Sequence, residues 1–178
     1  MTAPIAFDTG VFLPAKELSI PVYDTGFILG VTISEQLRTF GGKLFALDRH
    51  LQRLARSLEI LGLNPGLTLE QIGQAAEEVA SHNHPLLAPG DDIGCTILVS
   101  PGGSSALAPP GEERPRVRIH TQPLPFAQWR NVYDEGVALA VPTVRQTPAT
   151  CWPPELKCRS RMHYYLADRQ AHAIDPAA

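Results

Sequence analysis

The chain holds few lysines, and one of them lies in an unusual sequence context. Only Lys16, Lys43 and Lys157 occur. Lys157 follows the run Trp-Pro-Pro at 152–154 and precedes Cys-Arg-Ser-Arg at 158–161, where we expect it to open a helix. Nearby positive charge lowers the pKa of an amine and raises the fraction that can attack an aldehyde. Lys157 is therefore the candidate for Schiff-base chemistry, although a lysine at a helix start, taken alone, is ordinarily solvated or structural.

A second group of polar residues has helical spacing. His50, Arg53 and Ser57 are separated by three and four positions, which aligns them in one row along a helix. Arg53 offers a planar fork of donors that suits a phosphate better than the point charge of a lysine. The alternative interpretation is a solvated helix face, since polar residues that flank an apolar stripe are usually exposed.

The elements that must position these residues can be predicted from the first half of the chain. Phe27 to Phe45 is rich in apolar and β-branched residues and is interrupted by Gly41-Gly42, which predicts a tight hairpin. An amphipathic helix that ends near Gly62 is predicted by the leucines at positions 47, 51, 54, 58 and 61. A second helix should start at Thr68, where Thr-Leu-Glu-Gln has the form of a capping box, and end before Pro85.

The second half of the chain predicts three strands and one helix. We expect strands at Asp91 to Ser100 and Arg116 to Thr121, in a mixed or antiparallel sheet, and a buried strand at Gly136 to Val141. A loop with three prolines should run from Thr147 to Pro154, followed by a helix from about Cys158 to Ala173.

Composition excludes several classes of function. The formal net charge is −3 and like charges do not cluster, so neither nucleic acid nor an anionic membrane is an expected partner. No apolar run reaches the roughly 18 residues that span a bilayer, and no leader pattern opens the chain. The three cysteines lack the spacing of a metal site, so we expect reduced thiols, no metal and a cytoplasmic protein.

Four consecutive motifs lie in the first third of the chain: Val22 to Gly30, Glu35 to Arg38, Gly41 to Phe45 and His50 to Ser57. In their order and spacing they resemble the motifs of the class IV aminotransferases, which are fold-type-IV enzymes that depend on pyridoxal 5′-phosphate (PLP). By this resemblance Lys157 is the lysine that carries PLP, and Arg53, in a His-x-x-Arg-Leu motif, binds its phosphate. Glu35 and Arg38 are then expected to hold the sheet together.

Three positions depart from the family pattern. Leu29 and Ser34 replace residues that are usually aromatic and that shape the substrate pocket in family members. Arg161, four residues after Lys157, takes a place closer to the aminodeoxychorismate lyase pattern than to that of the branched-chain enzymes. The substrate therefore does not follow from the resemblance.

The resemblance implies an α/β (α+β) fold with the two-domain architecture of D-amino-acid aminotransferases. We expect an N-terminal domain at 1–125 and the start of a PLP-binding domain, truncated, at 126–178. The implied activity is transfer of an amino group between an amino acid and a 2-oxo acid through a Lys157 aldimine, in a homodimer. The alternatives are a PLP-dependent lyase that releases pyruvate from aminodeoxychorismate, and a non-catalytic fragment.

Overall fold

The computed structural model describes residues 3–177 and divides them into two compact units. The first unit comprises Met1–Leu124 together with Glu155–Arg159, and the second comprises Pro125–Pro154 and Ser160–Ala178. Lys157 therefore belongs to the first unit, although Pro125–Pro154 of the second unit separate its segment from Leu124 in the sequence.

The first unit is built on a six-stranded sheet in the order β2-β1-β6-β5-β3-β4. Every strand pairing in the described residues is antiparallel, which decides between the two sheet types that the sequence left open. The strands are β1 (Ile5–Asp8), β2 (Val11–Pro14), β3 (Ile33–Phe40), β4 (Lys43–Leu44), β5 (Ile93–Ser100) and β6 (Arg116–Pro123).

The predicted hairpin and the first two predicted helices are confirmed. Gly41 and Gly42 have φ angles of 57° and 81° between β3 and β4, a conformation that costs other residues more than glycine. Helix α2 spans Leu47–Leu61 and is capped by Gly62. Helix α3 spans Leu69–Asn83 and has both reciprocal bonds of the capping box between Thr68 and Gln71. A short helix, α1 (Thr25–Ile28), was not predicted.

The core lies between the sheet and the helices α2 and α3. Odd-numbered residues of β3, β5 and β6 face these helices, as the two-residue period of a strand requires. The largest fully buried side chains include Ile33, Leu54, Ile72, Ile97 and Ile119. Leu54 and Leu58 supply the buried stripe of α2, so the helix that carries His50, Arg53 and Ser57 is fixed against the sheet.

The opposite face of the sheet is mostly polar. It carries the even-numbered residues of the same strands, among them Ser34, Gln36, Thr96, Arg118 and His120. Ser34, Thr96 and Arg118 are nevertheless buried. The three central strands thus have an apolar helix-covered face and a second, polar face that is only partly exposed to solvent.

The second unit contains two helices, α4 (Phe126–Glu135) and α5 (Met162–Ile174). Two predictions are wrong here. Gly136 to Val141 forms no strand, and Val137, Leu139 and Val141 are exposed, because no neighbouring strand in the described residues supplies backbone partners. The last helix begins at Met162 rather than near Cys158, because the backbone of residues 157–159 is paired with β3 instead.

Candidate functional site

The row of polar residues on α2 meets a buried carboxylate on β3. Glu35 is fully buried and accepts hydrogen bonds from Nε and Nη2 of Arg53, at 2.9 and 2.5 Å. Nδ1 of His50 lies 2.7 Å from the same carboxylate. Hydrogen bonding to Glu35 raises the pKa of Arg53 against the opposing effect of burial. Glu35 therefore fixes both residues of the row: it compensates the charge of Arg53 and pairs with the imidazole of His50.

Arg53 retains donor capacity beyond its pair with Glu35. Its side chain is 46 % exposed, and among residues 3–177 its Nη1 atom has no hydrogen-bond partner. A guanidinium held at two nitrogens and open at the third is oriented before an anion arrives, so less side-chain entropy is lost on binding. The chemistry of this donor fits a phosphate.

The segment that carries Lys157 is bound to both β3 and α2. The Lys157 N–H donates to Oγ of Ser57, at 3.3 Å, and the Lys157 carbonyl accepts from the Ser34 N–H, at 3.0 Å. Cys158 pairs with Ile33 in an antiparallel bridge. Lys157 does not open a helix, contrary to expectation, because these bonds tie its backbone to β3 and α2.

The pairing geometry assigns the side chains of this segment to faces of the sheet. Directly paired residues in an antiparallel bridge share a face, so Cys158 lies on the side of Ile33, which faces the helices. Alternation then directs Arg159, the next residue, toward the polar face. Consistent with this, burial lowers the pKa of His120 on that face and the positive charge of Arg159 lowers it further.

The family profile described as amino-transferase class IV matches residues 32–175, most of the chain. The chain belongs to the class IV aminotransferases. The matched range includes Glu35, Arg53 and Lys157.

Two curated relatives have sequences similar to parts of the chain. The D-alanine aminotransferase of Staphylococcus epidermidis is 29 % identical over 104 residues, which are 58 % of this chain and 36 % of that protein. A putative branched-chain-amino-acid aminotransferase of Methanocaldococcus jannaschii is 25 % identical over 164 residues, or 92 % of this chain and 54 % of that protein. The chain thus spans between a third and about half of the length of these relatives.

Solved structures confirm the predicted fold. The branched-chain aminotransferase of Thermoproteus uzoniensis, solved with norvaline, superposes with a TM-score of 0.78 at 21 % identity, over 97 % of this chain and 57 % of that one. A hypothetical aminotransferase from Mycobacterium tuberculosis, in its PLP-bound form, superposes with a TM-score of 0.62 at 21 % identity, over 75 % of this chain and 44 % of that one. The class IV aminotransferases are PLP enzymes, so the expected cofactor is confirmed at the level of the family.

The structure brings the two predicted site residues into one neighbourhood. Ser57, which holds the Lys157 N–H, is one helical turn after Arg53, about 6 Å along the axis of α2. Sequence reasoning placed Ser57 in the row but missed this bond, because the partner is 100 residues away. It also assigned Glu35 only to the sheet, whereas its carboxylate orients Arg53 and His50. The roles of Arg53 and Lys157 toward a cofactor stay predictions.

Proposed function

We propose that the protein of which this chain forms at least a part is a PLP-dependent aminotransferase that moves an amino group between an amino acid and a 2-oxo acid. In this proposal Lys157 attaches the cofactor and Arg53 binds its phosphate. The observation that carries the proposal is the backbone bond from Lys157 to Ser57. It fixes the lysine segment within a helical turn of an arginine whose remaining donor suits an anion.

The residues of this chain have separable tasks in the proposed reaction. When bound, PLP supplies an electron sink for the bond broken at the substrate's Cα. Lys157 Nζ would attach the cofactor and, when free, would carry a proton to and from the substrate carbon. Arg53 holds the phosphate end through Nη1, and Glu35 keeps the guanidinium oriented during the exchange.

Reduction with borohydride tests the attachment directly. The chain is incubated with PLP, reduced, digested and examined by mass spectrometry, and we expect one modified lysine, Lys157. Lys157→Ala should abolish the modification, whereas Lys43→Ala, at an exposed position of the hairpin, should leave it intact. Modification spread equally over Lys16, Lys43 and Lys157 would contradict the proposal. No modification at all would favour the non-catalytic alternative.

A second assay addresses the reaction. Transamination requires a 2-oxo acid as acceptor, whereas the aminodeoxychorismate lyase alternative releases pyruvate without one. We expect turnover by the protein to depend on an added 2-oxo acid. Turnover of aminodeoxychorismate without an acceptor would instead support the lyase.

We also propose that the protein is a homodimer. The segment around α1 exposes a group of large apolar side chains, and monomeric proteins rarely leave such patches uncovered. Val22, Phe27 and Leu29 are 76 %, 69 % and 70 % exposed. A pair related by a two-fold axis is the expected assembly. Light scattering should give twice the chain mass at micromolar concentration, and Phe27→Glu should shift the protein toward the monomer.

A further inference from the structure

The strand β2 forms one edge of the sheet. In the described residues it pairs with β1 alone, and the register sets Phe7 opposite Phe12 and Asp8 opposite Val11 across the turn at Thr9-Gly10. Opposite residues of an antiparallel pair alternate between those that exchange hydrogen bonds and those that do not. The residues next to the turn of a two-residue hairpin exchange them, so Phe7 and Phe12, the next pair, do not.

The backbone of Phe12 therefore points away from the sheet. Phe7 directs its own backbone groups the other way, toward β6, where it pairs with Ile119. The N–H and the carbonyl of Phe12 have no hydrogen-bond partner among residues 3–177. A strand edge with a free donor and a free acceptor is a template for an added strand. This template is short, because Pro14 has no N–H to donate.

A cavity adjoins this edge on the side of the helices. It has a volume of about 450 Å³, and its lining includes Phe7 and Phe12 from the hairpin, Leu67 from the segment before α3, and Ala75 and Glu78 from α3. The rings of Phe7 and Phe12 meet edge to face, with 5.2 Å between their centroids. Phe12 is 47 % exposed, so one wall of the cavity is aromatic and open to a partner.

The charge of this cavity is negative. Glu78 is the only charged residue that lines it in the described part of the chain, and the Glu78 carboxylate is exposed without a hydrogen bond or an ion pair there. The face of an aromatic ring also attracts a cation. An arginine complements both features, because its apolar stem packs on a ring while its guanidinium stacks or pairs with a carboxylate.

An added strand would bring one side chain to this cavity. A residue that exchanges hydrogen bonds with Phe12 shares a face with it, so its side chain would lie on the side of α3. Its two neighbours would point to the opposite face, next to Val11 and Leu13. Val11 is 62 % exposed, so β-branched apolar residues suit these two positions.

We propose that the edge of β2 and this cavity bind an extended segment of a partner protein, in which an arginine stands between two β-branched apolar residues. The arginine backbone exchanges two hydrogen bonds with Phe12, and the guanidinium pairs with Glu78. This surface does not depend on the proposed function. Four strand spacings, about 19 Å, separate β2 from β3, the strand to which the Lys157 backbone is bound.

A short capped peptide tests the site in the full chain. Fluorescein-labelled Ser-Val-Arg-Val-Ser is titrated with the protein and followed by fluorescence anisotropy, and we expect saturable binding with a dissociation constant below about 1 mM. Methylation of the arginine amide nitrogen removes the donor to the Phe12 carbonyl and should weaken binding about threefold to tenfold. Citrulline, the neutral isostere of arginine, should weaken binding about twofold to fivefold.

A matched pair of variants localises the charge. Glu78→Gln should weaken binding of the arginine peptide about twofold to fivefold and should leave binding of the citrulline peptide unchanged. Glu77→Gln is the same substitution at an exposed position of α3 outside the cavity lining and should affect neither peptide. No saturable binding, equal binding of the methylated and unmethylated peptides, or equal effects of the two variants would overturn the proposal.

A second copy of this chain is the competing occupant of the edge. Phe12→Pro removes the outward N–H and the aromatic wall but no hydrogen bond to β1, and proline is tolerated on an edge strand. We expect this variant to lose peptide binding without a change of mass in analytical ultracentrifugation. Self-association that Phe12→Pro abolishes, in a chain that does not bind the peptide, would assign the edge to a second copy and overturn the proposal.

Discussion

Oγ of Ser57 on α2 accepts a hydrogen bond from the backbone N–H of Lys157, at 3.3 Å. Ser57 is fully buried in the middle of a helix. A serine there has a lower helix propensity than alanine, by up to about 0.5 kcal/mol. The presence of a serine at this position is thus explained by its hydrogen bond to Lys157 and not by its helix propensity.

We predict that Ser57→Ala destabilises the lysine segment more than the helix. The substitution improves helix propensity but leaves the Lys157 N–H without its acceptor, a loss of about 1 to 2 kcal/mol. Chemical unfolding should show this loss, and PLP labelling of Lys157 should slow. The matched control is Ser81→Ala at an exposed position of α3, which should be neutral or slightly stabilising. Equal behaviour of the two variants would show that the bond has no role.

Asp92 should contribute stability that depends on pH. Burial alone would raise the pKa of Asp92, but hydrogen bonds from Thr39, Gly42 and Gly41, together with the charge of His84, lower it below its ordinary value. A depressed pKa in the folded state means stability that is present above the unfolded pKa and is lost as the pH falls through the folded one.

The measurement compares Asp92→Asn with the wild-type chain in urea. We expect the variant to be less stable near neutral pH, because the hairpin turn loses its carboxylate. The difference should shrink as the pH falls below about 4, the ordinary range of an aspartate pKa. Asp91→Asn, at an exposed neighbouring position, is the control. A difference that is constant with pH would contradict the assignment.

Removing the charge of Arg159 should raise the pKa of His120. Burial and Arg159 both lower this pKa, while the Thr121 backbone opposes them. In Arg159→Ala the effect of burial persists, so the pKa should move toward its ordinary value without reaching it. NMR titration of the imidazole gives the answer, with Arg49→Ala on the solvent side of α2 as control. An unchanged pKa would show that Arg159 does not project toward the polar face.

Much of the first unit could be predicted because its signals are local. The leucine period of α2, the capping box of α3 and the glycine pair of the hairpin each act within a few residues. The lysine segment could not be placed in this way, since its partners Ile33 and Ser57 are far away in sequence. The strand predicted at Gly136 to Val141 does not form for a related reason. A short apolar run becomes a strand only where another strand offers its backbone groups for hydrogen bonding.

The cysteines should differ sharply in reactivity. All three are free: Cys151 is exposed and Cys95 is buried. Burial raises the pKa of Cys95 to about 12, so almost none of it is thiolate at neutral pH. A thiol reagent should modify Cys151 rapidly in the native chain and Cys95 only after unfolding. Rapid native modification of Cys95, mapped by mass spectrometry, would mean that β5 opens readily.

The last prediction concerns a buried ion pair that supports the lysine segment from a distance. Asp24 and Arg118 are 1 % and 4 % exposed and lie 3.0 Å apart. The Asp24 carboxylate also accepts from the Ser100 hydroxyl, at 2.9 Å, and caps α1 by accepting from the Gly26 N–H, at 2.8 Å. One carboxylate thus joins β5, β6 and α1.

Hydrogen bonds continue from α1 to the lysine segment. The Gly26 carbonyl accepts from the Thr32 hydroxyl, at 3.2 Å, and the Thr32 carbonyl accepts from the Arg159 N–H, at 2.8 Å. There is little room for adjustment, because a Cβ at Gly26 would lie 2.7 Å from Oγ1 of Thr32. Displacing α1 should therefore displace the backbone next to Lys157.

Asp24→Ala should lower the free energy of unfolding by about 3 to 5 kcal/mol, since it leaves Arg118 buried with Asp8 as its one remaining charged partner among the described residues. Asp24→Asn should cost less, because an asparagine still caps α1 while the charge is lost. In a double-mutant cycle, Arg118→Met should recover part of the cost of Asp24→Ala, because no unpaired charge remains. Asp24→Ala should also slow PLP labelling of Lys157, under conditions in which the chain is still folded. If Asp24→Ala lowers the free energy of unfolding as expected but leaves the labelling rate unchanged, the ion pair supports the fold alone. If the costs of the two substitutions are additive in the cycle, the two residues act independently.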